Sequence, residues 1–249
     1  MIKYLDTRTA TFLIEVGISQ GSVLGPLLFT IYTTALPTLT EITTTIFADD
    51  TALLASHSDP TIASSTLQRG LDFMEKWFRK WRFKINENKS SHVTFTLRKQ
   101  FCTQVTINDI LIANKDTVRY PSMILDRRMT WKRHIVDKSK ELITKLKKFY
   151  WLIGRRSNLN MQSKIMLYKA ILIPVWTYGI QLWGTASNPN IEILQRFRSK
   201  TLRSLIDATW YVTNKTIHHD LKISTDKEVP KHLNSETDTI WELTTTTTH

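Results

Sequence analysis

Two adjacent aspartates, Asp49 and Asp50, stand between two short runs rich in Thr, Ile and Leu. Neighbouring carboxylates repel, a tight turn holds them close, and a divalent cation removes the repulsion. Mg2+ takes oxygen ligands and is often held by one or two carboxylates together with substrate phosphates. Two such ions about 3.5–4 Å apart can activate an attacking hydroxyl and stabilise a leaving pyrophosphate. Solvated turns also favour aspartate, so the pair alone leaves both readings open. The other candidates are poorer. Cys102 is the only cysteine, so neither an internal disulfide nor a Cys-rich zinc site can form. His218-His219 lacks the further ligands of a metal site.

The aspartates need a scaffold, and the flanking patterns predict one. Residues 42–47 read as a strand and residues 51–55 as its partner, with Ala48, Asp49 and Asp50 at the hairpin tip. Upstream, Leu24, Leu28, Ile31 and Ala35 mark one helical face, and Pro26 suits a first turn. Downstream, Asp59-Pro60 opens a helix with Leu67, Leu71, Met74, Phe78 and Trp81 along one stripe. Trp77, Phe78 and Trp81 suit core packing better than base stacking. Val93, Phe95 and Leu97 alternate as in a half-buried strand, and a tight hairpin is expected around Asn108-Asp109. Residues 118–125 form a further extended run, broken by Pro121.

After Arg127 the pattern turns helical. Ile135, Leu142, Leu146, Phe149 and Ile153 share a face, with Gly154 as the stop. A helix from about Met161 ends before Pro174, and Asn188-Pro189 opens another with Ile191, Leu194, Phe197, Leu202 and Leu205 inward. The run of threonines before His249 reads as a frayed end. The expected class is therefore α+β.

Charge narrows the partners. The 249 residues hold 34 Lys plus Arg against 22 Asp plus Glu, a net +12. That surplus suits a polyanion such as nucleic acid. Between Arg127 and Arg156 only Asp137 and Glu141 oppose eleven basic residues. Lys132, Arg133, Lys140, Lys147 and Lys148 are the candidates to track a phosphate backbone, with a solvated helix face as the competing account. No apolar run approaches the roughly 20 residues that span a bilayer. The expected location is nuclear or cytoplasmic, neither secreted nor membrane-spanning.

Phe47-Ala48-Asp49-Asp50-Thr51-Ala52-Leu53-Leu54 resembles the aromatic-x-Asp-Asp hairpin of reverse transcriptases. Gln20-Gly21-Ser22-Val23-Leu24-Gly25-Pro26 resembles that family's Gln-Gly loop leading into a palm helix. Ile85-Asn86-Glu87-Asn88-Lys89-Ser90 and Tyr178-Gly179-Ile180-Gln181-Leu182-Trp183-Gly184 are similar to the jockey-type non-LTR retrotransposon group, as more loosely are Trp210-Tyr211-Val212 and Ile217-His218. The resemblance implies an RNA-directed DNA polymerase. Its fold would be a partial palm, an antiparallel sheet with helices over residues 1–126, then a basic, mainly helical thumb-like region over 127–215 and a tail over 216–249.

It further implies Asp49 and Asp50 as ligands of Mg2+, with Mn2+ as the alternative, and Lys89 near the departing pyrophosphate. Gln20, Gly21, Ser22 and Phe47 would lie by nucleotide or template, although Ser22 also reads as a helix cap and Phe47 as a core residue. The implied partners are an RNA template, a DNA primer and dNTP, with no membrane and with the N-terminal part of the element polyprotein missing.

The resemblance has gaps. A palm polymerase needs a third carboxylate from an earlier strand, and before Asp49 only Asp6, Glu15 and Glu41 occur. None matches the family motif. Ser19 stands where the family has Pro before its Gln. Pro121-Ser122 follow Val118-Arg119-Tyr120 where Leu-Gly would form a primer-gripping hairpin. The expectation is a polymerase fragment that does not polymerise alone, with a non-catalytic nucleic-acid-binding remnant as the alternative.

Overall fold

The structure, a computed structural model, describes residues 22–99 and 102–223 together with the backbone of two short strands, β1 (Lys3–Tyr4) and β2 (Thr7–Arg8). The chain divides into two compact units, Met1–Ser90 with Cys102–Ile112, and Ser91–Phe101 with Ala113–His249. Among the described residues the strands pair as separate two-stranded antiparallel sheets. With the helices they make an α+β chain, as the patterning predicted.

In the first unit, helix α1 (Leu24–Thr33) starts where the Ser22 hydroxyl accepts the Gly25 amide at 2.9 Å, which meets one of the four unpaired amides of a helix start. No α1 residue is buried. Strands β3 (Ile42–Phe47) and β4 (Asp50–Ala55) pair from Ile42↔Ala55 to Phe47↔Asp50. Helix α2 (Pro60–Lys80) is capped by Asp59, which accepts the Thr61 amide at 2.8 Å and the Thr61 hydroxyl at 2.6 Å. These bonds hold the Asp59 carboxyl below its ordinary pKa.

The α2 stripe buries Leu71, Met74 and Trp77, and Leu71 joins Val105, Ile107 and Ile112 in a small core. Trp77 is buried and stacks on Phe83 at 5.7 Å, the core role expected of the aromatic cluster, whereas Trp81, read into the same inward stripe, is exposed. Strands β5 (Thr106–Ile107) and β6 (Ile110–Leu111) form the expected tight hairpin. Asn108 and Asp109 carry φ of +48° and +61°, as a type I′ turn requires at both central positions. Gln68 clamps this hairpin to α2 by giving one bond to the Thr106 carbonyl (3.1 Å) and accepting one from its amide (2.8 Å).

In the second unit, β7 (Thr117–Tyr120) and β8 (Met123–Asp126) pair around Pro121-Ser122. Proline disturbs nothing there, because it occupies the turn and the ladder needs no amide from it. Asp126 accepts the Thr130 and Trp131 amides at 2.9 and 2.8 Å and so starts α3 (Lys132–Ile153). Helices α4 (Met161–Ile171), α5 (Ile173–Thr177), α6 (Ile180–Trp183), α7 (Asn188–Ile206) and α8 (Asn214–Asp220) follow. Pro174 lies in the first turn of α5, where its missing amide costs nothing.

Helices α3 and α7 run parallel. Asn190 donates to the Thr130 carbonyl (3.1 Å) at one end, and Tyr150 meets Ser204 (3.2 Å) at the other. Between them lies the main core, where Ile135, Leu142, Leu194 and Leu202 are wholly buried. Arg198 is buried too, with its guanidinium 4.0 Å from the Trp176 ring centroid, a cation–π contact.

Two further local readings differ. Val93, Phe95 and Leu97 form no strand; the segment has one bridge, His92↔Asn114, and Leu97 is 80% exposed. Alternation makes a strand only where a neighbour supplies a ladder. Gly154 ends α3 with extended backbone (φ −72°, ψ 175°) rather than in the left-handed conformation. Glycine is needed there for space, since a Cβ would lie 2.5 Å from the Tyr150 carbonyl. His134, unremarked in sequence, is buried.

Gly179 is the position where glycine's conformational freedom matters. Its φ is +67° and a Cβ would sit 2.6 Å from the Met123 sulfur. Gly179→Ala is expected to destabilise the second unit by about 1–2 kcal/mol, the cost of left-handed backbone in an L-residue. A shift of the urea midpoint at constant slope reads it; an unshifted midpoint contradicts it.

Candidate metal-binding turn and nucleic-acid interface

Pairing of Phe47 with Asp50 leaves a two-residue turn, Ala48-Asp49. The short loop forces Ala48 to φ +51°, in the left-handed region that disfavours alanine. Asp49 and Asp50 are both exposed. The hairpin thus presents two carboxylates at consecutive positions on a strained tip. Strain at such a turn fixes direction, because few alternative conformations satisfy a two-residue loop.

Phe47 is 55% exposed beside them, so it does not take the core role that was its alternative. Ala48→Gly should relieve the strain, offset in part by the entropy of glycine, for a net gain of up to about 1 kcal/mol. Thermal unfolding measures it, and a lower midpoint contradicts the strained assignment.

Lys89 is exposed on a turn that Asn86 closes, with the Lys89 amide donating to the Asn86 carbonyl at 3.1 Å. Ser22 is half-buried and engaged with Gly25. Gln20 and Gly21 lie outside the described residues. Two carboxylates fit a hard divalent cation that completes its shell with water and substrate phosphate oxygens. Among the described residues no three His, Cys, Asp or Glu side chains gather as a metal cage. The hairpin by itself offers two oxygen-donor groups, Asp49 and Asp50.

In the second unit, Lys132, Arg133, Lys140, Lys147 and Lys148 are all exposed on α3, while Ile135 and Leu142 face inward. One amphipathic helix thus serves packing and charge display together. The helix's two acids are engaged within it. Asp137 pairs with Arg133 at 3.4 Å and Lys140 at 3.8 Å, and Glu141 with Lys138 at 3.1 Å and Lys145 at 3.5 Å. Lys147 and Lys148 stand in the following turn with no carboxylate partner among the described residues. Sequence reasoning gave no role to the exposed Trp151, Trp210 and Tyr211. Type and spacing do not reveal whether a lone aromatic is buried. No helix of the described residues is long and apolar enough to cross a membrane.

Residues 1–125 match the family described as "Reverse transcriptase (RNA-dependent DNA polymerase)". The chain is 35% identical over 84% of its length to "RNA-directed DNA polymerase from mobile element jockey" of Drosophila melanogaster, covering 24% of that protein. It is 34% identical over 87% of its length to the protein of the same name from Drosophila funebris, again covering 24%. It is also 34% identical over 88% of its length to the Drosophila melanogaster protein named "Probable RNA-directed DNA polymerase from transposon X-element", covering 25%. The chain spans about a quarter of the length of these curated relatives. No solved structure matches.

Proposed function

The chain belongs to the reverse transcriptase (RNA-dependent DNA polymerase) family, and from that premise we propose that it carries the metal-binding turn of a template-directed nucleotidyl transferase of a mobile element. The observation that carries this reading is the exposed Asp49-Asp50 pair, at the end of the Ala48-Asp49 turn and the start of β4, inside the stretch that matches the family. Asp49 and Asp50 would hold Mg2+, with Mn2+ as the alternative. The ions, when bound, favour attack by a primer 3′-hydroxyl and departure of pyrophosphate.

The side chains do the rest. Lys89 offsets phosphate charge. Phe47, Ser22, Gln20 and Gly21 line the nucleotide and template side. Lys132, Arg133, Lys140, Lys147 and Lys148 hold phosphates of an RNA template and DNA primer without choosing sequence. The first 126 residues act as the palm, and 127–215 as the thumb.

A third carboxylate is needed to complete the site. Before Asp49 only Asp6, Glu15 and Glu41 occur, and none matches the family motif for that carboxylate, which supports the view that these 249 residues hold template–primer without extending it. The same observation favours a second reading, a nucleic-acid-binding remnant. The two readings part on whether joining the chain to the polypeptide that precedes it in a jockey relative restores synthesis.

Anisotropy with a labelled template–primer duplex tests the binding half. The logarithm of affinity should fall linearly with the logarithm of salt, and Lys147→Gln with Lys148→Gln should reduce that slope by about two. Salt-independent binding, or no binding, contradicts the reading.

A further inference from the structure

We propose that the turn between α7 and α8 is a stacking platform for unpaired bases of a single nucleic-acid strand. Trp210 is 90% exposed and Tyr211 69% exposed. Their rings meet edge to face at 6.0 Å and 82°, which leaves ring faces open to solvent. Water-facing rings of this size forgo the burial that normally governs aromatic placement. A loose loop could fold them inward, but this one is stapled.

Arg203, in the last turn of α7, donates from Nε to Asn214 Oδ1 (2.9 Å), from one terminal nitrogen to the Thr209 carbonyl (3.1 Å) and from the other to the Val212 carbonyl. Asp207 turns the chain with φ +52° and pairs with Arg155 at 2.8 Å, anchoring the turn beside the end of α3. The Thr213 hydroxyl then caps α8 through the Thr216 amide. Every residue flanking the two aromatics is thus engaged in holding the loop, and the aromatics themselves hold nothing.

Charge at this end of the unit selects the partner. Lys147, Lys148, Arg155, Arg156 and Lys215 are exposed around the shared α3 and α7 ends. Over residues 143–161 and 200–216 the one carboxylate is Asp207, already paired. Cations beside flat, open rings suit a polyanion whose bases are unstacked, since each base offers a π-face whatever its sequence. A duplex offers phosphates but keeps its bases stacked, so it gains from the lysines and not from the rings. An apolar protein partner would have to desolvate the surrounding cations, and charged groups are depleted at the cores of protein interfaces.

The inference rests on the nucleic-acid reading above and adds to it a strand type and a contact. The test uses the whole chain, a labelled oligothymidylate of roughly 15 nucleotides and a blunt duplex of similar length. With Trp210→Ala plus Tyr211→Ala, affinity for the single strand should fall by about tenfold or more while duplex affinity stays within about twofold. The salt slope should not change, because no cation is removed. Trp210→Phe should keep most of the single-strand affinity, since a flat ring remains.

Unchanged single-strand affinity in the double variant overturns the platform and leaves the nucleic-acid reading standing. An equal loss on duplex also overturns it, as does a wild-type dimer that the double variant dissolves, which would make the rings a self-interface. Failure of the wild-type chain to bind either probe overturns both.

Discussion

Asp49→Asn is expected to lower dNTP incorporation by at least about 10²–10³-fold in a polypeptide that joins this chain to the segment preceding it in a jockey relative. Asparagine keeps the volume and the turn preference of aspartate and removes only the charge. Asp49 is exposed and lies on a turn set by backbone pairing, so the hairpin should survive the change. The loss then reports lost cation affinity rather than lost fold. Asp50→Asn should act similarly, since it carries the adjoining carboxylate. Glu41→Gln is the control: this exposed glutamate precedes β3 and is paired with Arg69, away from the tip. It should leave incorporation unchanged. Steady-state incorporation on a primed template decides, and a fused protein whose rate ignores Asp49→Asn removes the metal-ligand assignment.

Acid should weaken the second unit well before ordinary carboxylates titrate. His134 is 2% exposed, and its ring lies between Trp131 (6.1 Å) and Trp183 (6.5 Å). Burial lowers its pKa from 6.5 to about 4, with nearby Lys138 acting the same way and Asp137 and Glu141 opposing. Geometry agrees. The Ile124 amide donates to Nδ1 at 3.2 Å, so a proton there would set two donors face to face.

A depressed folded pKa means that the unfolded chain binds the proton first. Stability is complete above about pH 6.5 and falls as pH drops towards 4, by about 3 kcal/mol for 2.5 pKa units at 1.36 kcal/mol each. His92, also lowered by burial, adds in the same direction. His134→Gln offers an acceptor that does not titrate, so it should flatten the profile across that window. Urea midpoints at pH 7, 5.5 and 4.5 measure it; a wild-type midpoint that holds steady from 7 to 4.5 contradicts the buried neutral imidazole.

Much of this was legible in residue type and spacing. The two-residue turn at Asn108-Asp109, the Asp59-Pro60 start of α2 and the inward stripes of α3 and α7 all follow from local chemistry, and the structure forms each of them. What failed depended on partners distant in sequence. The alternation at Val93, Phe95 and Leu97 needed a neighbouring ladder that is not there. Gly154 looked like a left-handed stop, yet what requires it is the nearby Tyr150 carbonyl.

Buried polar groups were the other blind spot. His134 and Arg198 lie inside because an amide and an indole face meet them, and no periodicity announces such partners. At the candidate site the hairpin was readable from its two strand-like runs, but Asp50, read at the tip, pairs with Phe47 as the first residue of β4. The exposure of Trp210 and Tyr211 was not, since burial depends on what the fold leaves uncovered.

Primer extension by the 249-residue chain is the decisive measurement. With template–primer in excess, dNTP and Mg2+ present, and binding verified in the same tube by anisotropy, bound duplex and no incorporation are expected. Incorporation that disappears in Asp49→Asn would contradict that expectation, because the two carboxylates of this hairpin would then suffice for the chemistry.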